Sequence, residues 1–185
     1  MATGRALTLR TKRPELFDPV QAAKLTAGQI DYRLKEVFGT VPKWQRYGEA
    51  WQRNSEILVK GWGSDVLNLF AGLTTEAEVR ARVLNKFKYQ LPHAERGLYM
   101  FQKKMCALLA INLMQAGFIP RISVSFPVDF HHLRALIGTG MIRLENGTYD
   151  PEPIKEASDR IGRVYLDRFP GMDPVVFSEY LFVLS

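Results

Sequence analysis

The sequence predicts an all-α protein of about eight helices with one small β-hairpin. Asp-Pro occurs at Asp18-Pro19, Asp150-Pro151 and Asp173-Pro174. Asp at the N-cap satisfies exposed N–H groups, and Pro, with its fixed φ, suits the first helical position. Thr75-Glu76-Ala77-Glu78 has the spacing of a capping box. Apolar residues recur at helical spacing, as in Trp44, Trp51 and Leu58, and in Val79, Val83 and Phe87. The hairpin rests on Asn146-Gly147, a pair suited to the positive φ angles of a type I′ turn.

In chain order, residues 1–17 read as a basic extended arm. Leu7 and Leu9 alternate with Thr8 and Arg10, Pro14 interrupts, and Arg5, Arg10, Lys12 and Arg13 precede the first acid, Glu15. Such an arm is either a solvated terminus or a contact to a phosphate backbone. Residues 18–185 read as a single helical domain. After the Asp18 start, helices are expected at about 27–38 and 43–60, the second broken by Gly61 and Gly63. A short helix at 64–71 follows, and the capping box opens another that reaches about residue 90, before Pro92.

A long helix is expected at about 94–116, closed by Gly117. Its first half carries Arg96, Gln102, Lys103 and Lys104; from Met105 onward it is apolar on nearly every side, as in a buried central helix. Residues 118–126 form a link, and a helix at about 128–137 follows. The hairpin occupies 141–149, and helices at about 151–168 and 174–184 complete the chain.

Composition narrows the function. Hydrophobic residues make up 46% and charged residues 24%, which suits a packed core. The net charge of +6 favours polyanionic partners. The single cysteine, Cys106, rules out a disulfide framework, a four-cysteine zinc site and a cysteine-ligated iron–sulfur cluster within this chain. The apolar run 105–114 is too short to span a bilayer, and no signal-peptide core follows the N-terminal arginines. A cytoplasmic protein with no membrane partner is expected. No GxxxxGK[ST], GxGxxG or GxSxG occurs, and His93, His131 and His132 do not have the spacing of a common metal motif. No cofactor and no metal are expected.

The stretch that remains is 126–142, in which one acid, Asp129, stands in apolar surroundings with His131 and Arg134 behind it. A lone carboxylate at a helix entrance either caps the helix or does chemistry. Trp44, Tyr47 and Trp51 are either core aromatics or a platform on which a base stacks.

Pro127-Val128-Asp129-x-His131-x-x-Arg134 resembles the catalytic segment of the helix-hairpin-helix DNA glycosylase superfamily. In that superfamily an apolar helix ends in Gly, a short link follows, and a Val-Asp-x-His-x-x-Arg segment opens the next helix. Here 107–117, 118–126 and 128–134 have that order, and the similarity extends over about 75–185. The resemblance implies a two-lobed helical glycosylase-like bundle, DNA or a modified nucleic acid or nucleoside as partner, and removal of a damaged or modified base.

It also implies roles. Asp129 would stabilise the oxocarbenium-like sugar as the base leaves. Lys104 or Lys103 would supply the amine of lyase-competent members. His131, Arg134 and Gln102 become candidates for substrate contact, and Arg96 and Arg121 for nucleic-acid contact. The Leu-Pro-Gly-x-Gly hairpin of the family is replaced by Leu91-Pro92-His93-Ala94-Glu95. The link before Asp129 has the greater length found in archaeal 8-oxoguanine glycosylases, and queuosine-salvage nucleosidases share the helical plan. The alternatives are a nucleoside N-glycosidase and a non-enzymatic nucleic-acid-binding domain of winged-helix type, with 141–149 as its wing. That wing carries only one base, Arg143, beside Glu145.

Overall fold

The computed structural model describes residues 2–39, 46–86, 90–122, 124, 130–140, 143, 160, 167, 168 and 176. All regular structure among these residues is helical. Of the expected hairpin at 141–149 only Arg143 is among them, and Asp129, Trp44 and the Asp150 and Asp173 helix starts lie outside them. The chain divides into two compact units, Met1–Gly72 with Arg80–Gln102, and Leu73–Val79 with Lys103–Ser185. The sequence led to an expected arm at 1–17 and one domain at 18–185; residues 1–17 lie within the first of these units.

The first unit begins with a helix, α1 (Ala2–Lys12), where an extended arm was expected. The reason is tertiary. Leu9 is buried in a cluster with Leu16, Ile30 and Leu34, against which Leu25, Val37, Phe38 and Trp51 pack. A helix lets this one apolar residue face the core while Arg5, Leu7 and Arg10 stay exposed. Arg13 pairs with Glu36 at 2.7 Å and Arg33 with Glu15 at 2.9 Å, so part of the basic charge of the terminus is neutralised within the unit.

A 3₁₀ turn at Pro14–Phe17 leads to α2 (Pro19–Ala22). Asp18 caps α2 as expected, its carboxylate accepting the Val20 N–H at 2.9 Å. α3 (Ala27–Phe38) has the expected span and a capping box of its own: Thr26 Oγ1 accepts from the Gln29 N–H, and Gln29 Oε1 accepts from the Thr26 N–H. α4 (Tyr47–Gly61) packs closely on α3. The Gly48 N–H donates to Asp31 Oδ1 at 2.8 Å, and a Cβ on Gly48 would stand 2.2 Å from the Ala27 carbonyl oxygen. Only glycine admits this approach.

The expected short helix at 64–71 is a single 3₁₀ turn, Val66–Leu69, capped by Asp65. The capping box at Thr75 is present: the Glu78 N–H donates to Thr75 Oγ1, and the Thr75 N–H to Glu78 Oε2. It opens α5 (Glu76–Val83), which contributes residues to both units and stops well before residue 90. The expected helix at 94–116 is also divided. His93–Glu95 is a 3₁₀ turn, and α6 (Lys103–Gln115) starts separately.

One cause ends both helices. Backbone bonds from Asn85 to Phe101, Lys86 to Arg96 and Leu98 to Val83 hold the two segments together. Gly97, at φ 67°, lies so close to Leu84 that a Cβ would approach its carbonyl oxygen to 2.0 Å. Met100 also has positive φ. Asn54 anchors this segment from α4: its amide donates to the Tyr99 carbonyl at 3.2 Å and accepts the Tyr99 N–H at 2.6 Å. Arg53 and Arg46 stack over the Tyr99 ring at 4.5 and 5.8 Å, and both pair with Glu49.

In the second unit, α6 buries Cys106, Ala107, Ala110 and Ile111, while Met105 and Asn112 are exposed. Its burial is therefore one-sided rather than all round. Gly117 closes it as expected, with the Gly117 N–H donating to Met114 and the Phe118 N–H to Leu113. Ile122 and Val124 of the link are buried, and the Ile122 N–H donates to Met114 Sδ. α7 (Phe130–Gly138) buries Ala135 and Leu136.

Candidate functional site

Lys103 and Lys104 are the first two residues of α6, and both are exposed. Successive helical residues diverge by about 100°, so the two amines leave the helix in different directions. The first turn of α6 holds no acid. Two cations at the positive end of a helix dipole cost the helix about 0.3–1 kcal/mol each. Their charges and the dipole at this end of α6 are of the same, positive sign, which favours a nearby anion.

Asp129 precedes the first residue of α7 in the sequence and lies outside the described residues. His131 and His132 contribute backbone to the start of α7. Arg134 is exposed on α7, and Arg121 is exposed on the link. Gln102, also exposed, and Arg96 belong to the first unit, whereas both lysines, Arg121 and Arg134 belong to the second. Arg96 is half-buried and donates from Nε to the Leu91 carbonyl, with its Nη1 3.5 Å from the His93 ring. Burial lowers the His93 pKa, and the nearby charges of Arg96 and Lys60 push it the same way, against the opposing effect of Glu56.

Among the described residues, no group of three or more His, Cys, Asp or Glu side chains is placed to hold a metal ion. No helix among them is long and apolar enough to cross a membrane.

The first unit contains a cleft of about 510 Å³ between the 3₁₀ turn at Pro14–Phe17, α4 and the residues after α4. Tyr47, Trp51 and Phe17 supply aromatic surface, and Ser55, Ser64 and Asp65 supply polar groups. The Trp51 indole N–H donates to the Leu16 carbonyl at 2.7 Å, and Phe17 meets its ring edge-on at 5.7 Å. Tyr47 and Trp51 were candidates for a stacking platform on sequence grounds. No local signal marks Ser64 and Asp65 as their neighbours, because these reach the cleft through the turn that follows α4. No protein-family model matches the chain, and no curated protein or solved structure is similar to it.

Proposed function

We propose that the chain is an N-glycosidase that removes a damaged or modified base from DNA, with a modified nucleoside as the alternative substrate. The observation that carries this reading is the order of elements in the second unit. α6 opens with Lys103 and Lys104 and is closed at Gly117, a link follows, and α7 begins one residue after Asp129. That order is the one the resemblance to helix-hairpin-helix glycosylases implies. The exposed cations at the head of α6 suit a phosphate-bearing substrate.

In the proposed reaction the base is taken out of the stack. The C1′–N bond breaks, and its electron pair leaves with the base, which takes up a proton. The Asp129 carboxylate stabilises the positive charge on the sugar, and a water adds at C1′. In the lyase variant, the amine of Lys104 or Lys103 adds at C1′ instead; the C1′–O4′ bond then breaks, a proton passes from the nitrogen to O4′, and the opened sugar is held as a Schiff base.

Release of free base from a panel of modified duplexes, single strands and nucleosides tests the reading. Activity on at least one substrate is expected. Borohydride trapping tests the amine: a covalent adduct lost in Lys103→Ala or Lys104→Ala supports the lyase variant, and no adduct with any active substrate removes it. Salt-dependent DNA binding with no base release on any substrate contradicts the enzymatic reading and favours a binding domain.

A further inference from the structure

The cleft of the first unit has the makings of a binding site that is independent of the proposed glycosidase chemistry. Its volume of about 510 Å³ lies in the range of small-molecule sites. Its aromatic wall is fixed before any ligand arrives. Trp51 is held by its hydrogen bond to Leu16 and by Phe17, so stacking on it requires little ordering. Tyr47 and Phe17 are each 44% exposed and border the same space.

The polar groups narrow the ligand. Ser55 is 5% exposed and lines the cleft, and its hydroxyl makes no hydrogen bond among the described residues. Asp65 uses Oδ1 to cap the next turn, while Oδ2 has no partner among the described residues. Ser64 holds a left-handed φ of 64° beside it. A purely apolar occupant would leave the buried Ser55 hydroxyl without a hydrogen bond, which is unfavourable, and would make no use of the exposed Asp65 carboxylate beside it. An ionised carboxylate only accepts, so a ligand that meets Asp65 offers it donors, and one that also stacks on Trp51 carries them on a planar ring.

We propose that the cleft formed by Phe17, Tyr47, Trp51, Ser55, Ser64 and Asp65 binds a purine nucleoside with a guanine-type edge. The ring stacks on Trp51. The adjacent ring N–H and exocyclic amino group donate to the Asp65 carboxylate, and Ser55 bonds a second polar atom of the ring.

The test is titration of the full chain with guanosine and with inosine, which lacks the 2-amino group, followed by calorimetry or ligand-observed NMR. Guanosine is expected to bind saturably, and inosine about tenfold or more weaker. Asp65→Asn keeps a capping side chain but removes the charge, so its melting temperature should match wild type while guanosine affinity falls about tenfold or more. Ser55→Ala is expected to weaken binding severalfold. Absence of saturable guanosine binding, equal affinity for the two nucleosides, or unchanged affinity in Asp65→Asn overturns the proposal.

Discussion

Replacing Gly48 by Ala tests how the first unit is held together. A Cβ at this position would lie 2.2 Å from the Ala27 carbonyl oxygen and 2.6 Å from Asp31 Oδ1. Ordinary contacts are longer by about 1 Å, so α4 must move away from α3 by about that much. Overpacking of this kind costs about 1–3 kcal/mol. Loss of the bond from the Gly48 N–H to the Asp31 carboxylate adds about 1.5–3 kcal/mol. Alanine's better helix propensity returns at most about 1 kcal/mol.

The net destabilisation is therefore about 1.5–5 kcal/mol. For a unit of this size that lowers the melting temperature by about 6 °C or more. Gly28→Ala in α3 is the control, because its Cβ would meet no atom within 4 Å; it should be neutral or slightly stabilising. Thermal melts followed by circular dichroism distinguish the two. A Gly48→Ala melt within about 2 °C of wild type would refute the close approach of α3 and α4.

Two further perturbations reach other parts of the chain. Glu78 accepts hydrogen bonds from the Thr74 and Thr75 backbones and hydroxyls, which lower its pKa from 4.5 to about 2. A depressed carboxylate stabilises the fold above its unfolded pKa and loses that contribution as pH falls through its folded pKa. Melts of wild type should therefore weaken between pH 4.5 and about 2 more steeply than those of Glu78→Gln; parallel pH profiles would argue against the capping box. Asn54→Ala strips Tyr99 of two backbone partners and should cost about 1–3 kcal/mol. Urea titration measures it, and a loss below about 0.5 kcal/mol would show that Asn54 does not anchor the segment.

Features that depend on a few adjacent residues are legible from local signals. Asp18 and Thr75 announce caps because one side chain meets an N–H two or three residues on. Gly117 announces a helix end because glycine readily takes the positive φ that closes the last turn, and the span of α3 follows from its apolar spacing. What the sequence hid depends on distant partners. Leu9 gives no helical signal until Ile30 and Leu34 form the surface it packs against.

The split of the expected helix at 94–116 is likewise set from outside, by backbone bonds to residues 83–86. The separate start of α6 at Lys103 follows from that split. Of the candidate site, the lysines, Asp129 and Arg134 were legible as a motif. The cleft was legible only through Tyr47 and Trp51, since Phe17 and Asp65 are far from them in sequence.

The central claim is that Asp129 acts on a sugar from which a base departs. Single-turnover base release by wild type and by Asp129→Asn, on a substrate that wild type cleaves, tests it most directly. Asn preserves shape and can still cap a helix, but carries no charge. Loss of the carboxylate should slow release by about a hundredfold or more, the scale of removing one electrostatic or general-base group, with the melting temperature unchanged. Release at the wild-type rate would contradict the claim and leave Asp129 as a cap.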